Sequence, residues 1–187
     1  MKRLFAIVAV VLLAACSRSG FNNVDITGAN YANDFELTDH TGARRTLADY
    51  RGKVVVIFFG ITQCPDVCPT TLQQMADVRR DHGRDGEVVQ VLFVTVDPQR
   101  DTPEVLAQYV PGFDPSFVGL YGTPEEISRT AKTFKVFYQK VSGPTETSYT
   151  IDHTAGSYVI DKSGQPRLFL RHEQGLAPIV ADLRQLL

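Results

Sequence analysis

Runs of hydrophobic residues divide this chain into alternating strands and helices. Residues 54–59 and 88–96 are continuous β-branched and aromatic runs, which are typical of strands buried on both faces. Residues 70–82 instead place apolar side chains at helical spacing, which predicts an amphipathic helix. Strands that alternate with helices in this way predict an α/β fold with a central mixed sheet flanked by helices.

Weaker patterns complete the predicted order of elements. Residues 35–47 alternate around a turn and predict an N-terminal hairpin. Two Thr–Pro pairs, at 102–103 and 123–124, each predict a helix start, because a capping threonine precedes a proline at the first helical position. The other predicted elements are strands at 117–121, 155–161 and 165–171, an extra hairpin formed by 135–141 and 146–150, and a last helix at 177–187.

The N-terminal residues have the pattern of a targeting segment. Lys2 and Arg3 precede an apolar run over residues 4–15, which is shorter than the roughly 20 residues needed to cross a bilayer but suits a signal peptide. The run ends in Leu-Ala-Ala-Cys16, which resembles a bacterial lipobox whose cysteine is lipidated. An ordinary signal peptide with an incidental cysteine is the alternative. Ser17 after the cysteine resembles lipoproteins that are sent on to the outer membrane.

These patterns predict three parts: a lipoprotein signal peptide (1–15), a polar tether on a lipid anchor (16–33) and one folded domain (34–187). The predicted location is therefore the bacterial cell envelope, on the periplasmic side of a membrane. The formal net charge of the chain is −2 and no cluster of lysine or arginine occurs, so we expect no nucleic-acid partner.

Cysteine usage gives the strongest chemical signal. The chain has three cysteines, and lipidation of Cys16 leaves only Cys64 and Cys68. In an oxidising compartment, two such close cysteines predict a disulfide when oxidised, a redox couple or metal ligands. A purely structural disulfide is disfavoured because it would close a very short loop. Pro69 predicts that Cys68 caps the following helix, where the helix dipole would favour its thiolate.

A soft metal would need a third ligand, and the chain offers four histidines. His40, His82 and His172 are at positions typical of surface residues. His153 differs because it opens a predicted strand that a thioredoxin-like sheet would bring beside the cysteine loop, although alone it would also suit a structural role. Two thiolates and one imidazole suit Cu(I), with Cu(II) accessible if a further ligand joins, whereas structural zinc takes four protein ligands.

Three motifs together resemble the Sco (SenC) family of copper-binding assembly proteins. They are Gly60-Ile-Thr-Gln-Cys-Pro-Asp-Val-Cys-Pro69, Val94-Thr-Val-Asp-Pro-Gln-Arg-Asp-Thr-Pro103 and Asp152-His-Thr154. The resemblance extends from about Phe35 to the C-terminus. It implies a thioredoxin-like fold, with copper bound by Cys64, Cys68 and His153. Asp152 is a plausible neighbour that orients His153, and a strand-end carboxylate without a role in the site is the equal alternative.

The family resemblance also implies a role. The implied role is to deliver copper to the CuA site in subunit II of cytochrome c oxidase, or to mature that site. Subunit II is therefore the expected partner. Other periplasmic copper chaperones or thiol reductants are further candidates. The main alternative is a thiol-disulfide oxidoreductase that keeps the CuA cysteines reduced, so a metallochaperone is favoured over an enzyme without excluding the latter. Against the enzyme, residues 150–154 lack the proline that redox thioredoxins place beside their cysteines.

The chain departs from the family pattern at two kinds of position. Ile61 and Gln63 stand where members often carry an aromatic residue and a histidine before the first cysteine. A lipid anchor would replace the transmembrane helix of many relatives. Neither difference removes a predicted metal ligand, but the first could alter how a partner docks.

Overall fold

A mixed sheet of eight strands forms the centre of the structure, a computed structural model that describes residues 20–145, 148–172 and 174–187. The strands of this sheet are β1 (Val24–Asp25), β2 (Glu36–Asp39), β3 (Arg44–Thr46), β4 (Val54–Gly60), β5 (Val89–Thr95), β6 (Val118–Tyr121), β9 (Gly156–Ile160) and β10 (Pro166–Arg171). Their order across the sheet is β1-β10-β9-β4-β5-β6-β2-β3. Strands β4, β5 and β6 are parallel, and the other pairs are antiparallel. The predicted mixed sheet is confirmed.

Helices cover both faces of this sheet. In the described residues they are α1 (Val67–Asp81), α2 (Pro103–Tyr109), α3 (Pro124–Thr133) and α4 (Leu176–Arg184), with 3₁₀ turns at Leu47–Tyr50 and Gly83–Val88. None of the helices there is both long enough and apolar enough to cross a membrane.

The two central strands explain why the core has two layers. Every residue of β4 and β5 is buried, as their continuous apolar sequences predict. Successive side chains of a strand point to opposite faces. Val54, Val56 and Phe58 therefore pack with α1, α2 and α4, whereas Val55, Ile57 and Phe59 pack on the other face with α3.

A separate two-stranded hairpin lies beside the sheet and carries His153. It consists of β7 (Tyr138–Ser142) and β8 (Tyr149–His153), with Tyr138 opposite His153. In the described residues it shares no strand pairing with the larger sheet. Ile151, which is 8% exposed, packs its side chain into the core on the α3 face. The position of His153 therefore depends mainly on side-chain contacts of the hairpin.

Two predictions about local structure need correction. Helix α1 begins at Val67 with Asp66 as its cap, so Cys68 lies within the first turn and is not the cap. His153 ends the hairpin strand β8 and does not open the central strand, which begins at Gly156. The predicted boundaries were wrong by a few residues because hydrophobic pattern locates element ends less sharply than element centres.

The predicted tether is also part of the fold where the structure describes it. Residues 24 and 25 pair with β10 as an edge strand. The fully buried Asp182 carboxylate in α4 accepts hydrogen bonds of 2.8 Å from the backbone and side-chain nitrogens of Asn22 and Asn23. The folded domain therefore begins before residue 34. The signal peptide, Cys16 and Ser17 lie outside the described residues.

We expect Asp182→Ala to lower the free energy of unfolding by about 2–4 kcal/mol at pH 7, because it leaves four donors without their acceptor. Burial alone would raise the pKa of Asp182, but the hydrogen bonds from Asn22 and Asn23 dominate and lower it. Its stabilising contribution is therefore present above the ordinary aspartate pKa of about 3.9 and is lost as the pH falls through the lowered value.

Urea unfolding of both proteins at pH 7 and at about pH 3 measures this effect. The difference between the proteins should shrink at the lower pH. Asp81→Ala is the matched control, because its exposed carboxylate makes only a 3.8 Å ion pair with Arg184. Equal effects of the two substitutions would contradict this role of Asp182.

Candidate metal centre

The cysteine segment, residues 61–68, leaves the sheet at the end of β4 and runs directly into the first turn of α1. Gly60 ends the strand, and a Cβ atom at this position would lie 2.9 Å from Cys68 Sγ and 2.8 Å from the Phe93 ring. Contacts this short do not occur at real Cβ atoms, so the absence of a side chain at residue 60 lets the Cys68 thiol pack against the strand. Glycine is therefore required at residue 60, the first position of the motif, for steric reasons.

The two cysteines differ in exposure although they lie only four residues apart, Cys64 in the loop before α1 and Cys68 in its first turn. Cys68 is fully buried, whereas Cys64 is half-buried at the surface, and both are free thiols. The backbone N–H of Cys68 donates to Cys64 Sγ at 3.4 Å. One sulfur is therefore accessible to a partner, and the other lies inside the domain.

Burial controls the acidity of Cys68. Loss of hydration raises the pKa of its thiol well above the ordinary range, and a backbone hydrogen bond from Ile61 opposes the rise without reversing it. The prediction of a favoured Cys68 thiolate is therefore wrong. In the first turn of α1 the thiol packs among apolar side chains, and its loss of hydration is the main cause of the raised pKa.

His153 meets Cys68 across the gap between the hairpin and α1. The distance from His153 Nε2 to Cys68 Sγ is 3.7 Å, although 85 residues separate them in sequence. Burial lowers the pKa of His153, while the contact with Thr154 and the charge of Asp152 act in the opposite direction. His153 Nδ1 lies 3.2 Å from the Thr154 carbonyl oxygen, which only accepts hydrogen bonds. The neutral ring therefore carries its proton on Nδ1 and directs the Nε2 lone pair towards Cys68.

The three predicted ligands are thus assembled in part. Cys68 and His153 are in contact, and Cys64 approaches Cys68 through its backbone. Across the described ranges, no three cysteine, histidine or acidic side chains already form a closed cluster suited to a metal ion. The structure supports a paired sulfur and nitrogen, with a second sulfur in the loop that precedes α1.

Asp152 does not make the orienting contact predicted for it. Its side chain is exposed on β8, and the carbonyl of Thr154 bonds to the ring of His153. The remaining influence of Asp152 is its charge, which favours a protonated His153. A role for Asp152 at the site stays a prediction.

The other three histidines lie apart from this contact and are half-buried, not simply exposed. His40 Nδ1 accepts a hydrogen bond of 3.0 Å from the Gly119 backbone. His172 Nδ1 lies 3.2 Å from the Thr71 hydroxyl, and His82 follows the C-terminal end of α1. The contacts of His40 and His172 suit structural roles.

Sequence reasoning missed a buried aspartate beneath the cysteine segment. Asp101 is 1% exposed, and its carboxylate accepts hydrogen bonds from the Thr62 backbone and hydroxyl and from the Thr95 hydroxyl. Burial raises the pKa of Asp101, and these hydrogen bonds oppose the rise. The motif at residues 94–103 contained the signal, because a charged residue that falls at a buried position must be paired.

A tyrosine hydroxyl also lies near the thiols. The Tyr109 side chain at the end of α2 packs with Phe93 in the same core cluster as Cys64 and Cys68. Its hydroxyl oxygen is buried and has no hydrogen-bond partner within the described part of the chain. Burial and the nearby sulfur atoms raise the pKa of Tyr109. The site therefore contains a spare donor close to its two sulfurs.

The sheet, the helix that begins at the paired cysteines and the neighbouring histidine define a thioredoxin-like protein with a CxxxC pair. Comparison with known proteins gives the particular family. The model of the SCO1/SenC family matches residues 24–187, and the chain belongs to this family.

Several relatives support this assignment. The chain is 38% identical to a SCO2-like protein of Rickettsia felis over 152 residues, covering 81% of this chain and 70% of that protein. The chain spans only 44–50% of the length of the mitochondrial SCO1 homologues of human and mouse and of the SCO2 homologue of cattle.

Solved structures agree with the fold. Bradyrhizobium japonicum ScoI with copper bound superposes with a TM-score of 0.75 at 39% identity, covering 82% of this chain and 98% of that one. Apo Sco1 from Thermus thermophilus gives a TM-score of 0.80 at 39% identity, with coverages of 91% and 99%. The predicted family and thioredoxin-like fold are confirmed.

Proposed function

We propose that this protein is a copper chaperone that uses Cys64, Cys68 and His153 to carry copper to the CuA site of cytochrome c oxidase subunit II. The observation that carries the proposal is the 3.7 Å contact between Cys68 Sγ and His153 Nε2. It joins a sulfur and a nitrogen donor from distant parts of the chain. The copper-bound structure of the relative ScoI supports the same cargo.

The donor set fits copper better than zinc. Two sulfurs and one imidazole provide soft and intermediate ligands, which suit Cu(I) and permit Cu(II) with a further ligand. A structural zinc site would need a fourth protein ligand. The neutral His153 ring has its Nε2 lone pair available, because Nδ1 bonds to the Thr154 carbonyl.

The different exposures of the two sulfurs favour an order in which a partner replaces them on copper. The half-buried Cys64 is open to thiolates of a partner, whereas the fully buried Cys68 is not. A partner thiolate would first replace Cys64 and then Cys68 on the ion, and each released cysteine would regain a proton. Because burial raises the pKa of Cys68, loading this cysteine with copper displaces its thiol proton.

Anchoring at a membrane would place this exchange near a membrane-bound oxidase. We propose that the signal peptide at residues 1–15 exports the chain to the bacterial envelope and that Cys16 carries the lipid. Preference for the outer membrane rests on Ser17 alone.

A thiol-disulfide oxidoreductase is the second candidate function. The observation that favours it is the pairing of an accessible Cys64 with Cys68, whose backbone N–H contacts the first sulfur. The reaction would oxidise the dithiol to a Cys64–Cys68 disulfide, while two electrons and two protons reduce a disulfide of the partner to two thiols. Copper loading needs the reduced pair, so the two functions would compete for the same sulfurs.

Competition of the reduced protein against a Cu(I) chelator tests the proposal. We expect one copper per chain and at least about a tenfold loss of affinity in His153→Ala, because this change removes a direct ligand. His82→Ala is the matched control, because its imidazole lies at the far end of α1, roughly 20 Å from Cys68. Weak binding that is equal in all three proteins, with the dithiol still reducing a test disulfide, would make the oxidoreductase the primary function.

A further inference from the structure

The central sheet does not hold His153, the proposed histidine ligand, in position. His153 is the last residue of a hairpin that has no strand pairing with that sheet in the described residues. An isolated two-stranded hairpin is at best marginally stable in water. Contacts elsewhere must therefore hold β8 at a fixed distance from Cys68.

Arg100 provides such a contact at the start of β8. Its Nη1 donates to the Tyr149 carbonyl oxygen at 2.8 Å, and its guanidinium carbon lies 3.7 Å from the centre of the Tyr149 ring. The Tyr149 hydroxyl donates to Asp97 at 3.1 Å, and the Asp97 carboxylate accepts from Arg100 Nε. The same arginine therefore binds both the backbone and the ring of one hairpin residue.

The loop at residues 97–101 also holds the cysteine segment. Arg100 Nη1 donates to Gln63 Oε1 at 3.1 Å, next to Cys64. Asp101 bonds to Thr62 on the same segment, and its backbone N–H donates to the Asp97 carbonyl. One short loop thus contacts the segment with the sulfurs and the hairpin with the imidazole.

We propose that Arg100 is a positioning residue that sets the distance between His153 and the two cysteines. This inference rests on the proposed copper site. Tyr149 lies four residues before His153, about 13 Å along the strand. Without the contacts between Arg100 and Tyr149, the hairpin could pivot and carry the His153 imidazole away from Cys68. The two cysteines would stay in place on α1 and the loop before it.

Arginine is suited to this task for geometric reasons. Its planar guanidinium stacks on an aromatic ring and donates in several directions in the same plane, which a lysine ammonium does not do. The side chain is 21% exposed and its Asp97 partner only 5%, so the ion pair is well shielded from solvent. Arg100→Lys should therefore keep the charge but no longer hold the hairpin in position.

A double-mutant cycle on Cu(I) affinity tests the proposal. Arg100→Gln should weaken binding at least about tenfold, as His153→Ala does, and the double variant should bind no more weakly than His153→Ala alone. Tyr149→Leu, which removes the stacked ring, should act in the same direction. Arg44→Gln is the control, because Arg44 lies on the edge strand β3, with three strands between it and β4, and its ion pairs with Glu36 and Glu126 involve no residue of the site. Its loss should leave affinity unchanged.

Amide hydrogen exchange of the copper-free protein gives an independent readout. Arg100→Gln should speed exchange at residues 149–153 and leave α1 protected. Additive losses in the cycle, or unchanged exchange in the hairpin, would overturn the positioning role. If His153→Ala itself leaves the affinity unchanged, it is the proposed copper site that fails, so the two failures are distinguishable.

Discussion

Cys68→Ser is expected to lower Cu(I) affinity at least about a hundredfold, beyond the 10–100-fold that loss of an outer contact to a metal site costs. A serine hydroxyl is a hard donor and does not replace a thiolate for Cu(I). Cys68 is also the sulfur in contact with His153, so its removal takes away the sulfur–imidazole contact at the site. Chelator competition on the reduced variant measures the loss.

Two further variants separate ligand loss from damage to the helix. Val78→Ala trims a fully buried side chain on the same face of α1 and should reduce stability without changing copper affinity. Cys64→Ser removes the accessible sulfur and should also abolish tight binding. Copper affinity that survives in Cys68→Ser would show that this residue is not a ligand.

Asp101→Ala is expected to lower the free energy of unfolding by about 2–4 kcal/mol, because three donors lose a buried acceptor. Two of these donors belong to Thr62 in the cysteine segment. We therefore also expect weaker copper binding, since the loop before Cys64 loses its fixed position. Thermal unfolding and chelator competition on the same sample measure the two effects.

Two controls distinguish an effect on the site from a general loss of stability. Asp39→Ala removes another buried carboxylate, one whose hydrogen bonds from Thr41, Ala43 and Arg45 overcome the effect of burial and hold its pKa at about 2. It should destabilise the protein to a similar extent and leave copper affinity intact. Asp101→Asn keeps the shape and one acceptor and should be milder than alanine. Equal copper affinities in Asp101→Ala and Asp39→Ala would contradict the link between Asp101 and the site.

Elements with strong patterns could be predicted without the structure. The continuous apolar runs gave β4 and β5, and the Thr–Pro pairs gave the starts of α2 and α3, where Thr102 and Thr123 accept the predicted capping bonds. Hydrophobic run and cap chemistry are local properties, so neighbouring residues suffice to recognise them. The edge strand at residues 24–25 is too short to show a pattern, so the sequence predicts a tether there.

The sequence predicts which residues form the candidate site but not what surrounds them. The sulfur pair follows from cysteine spacing, and the family motif supplies His153. The acidity of Cys68 was predicted wrongly because it depends on burial by strands and helices that are distant in sequence. Asp101 and Arg100 had no assigned role, since a charged residue in a loop is usually solvated and only its neighbours reveal otherwise.

The sequence by itself determined the order of the strands and helices from β2 onwards, the CxxxC pair at a strand-to-helix turn and the family. The tertiary structure alone decided that Cys68 is buried and Cys64 accessible, that His153 faces Cys68 with its Nε2 and that one loop contacts both halves of the site. Periodicity and motifs arise from residues close together in the chain. Desolvation and donor distances arise from residues such as 68 and 153, which only the folded sheet and hairpin bring together.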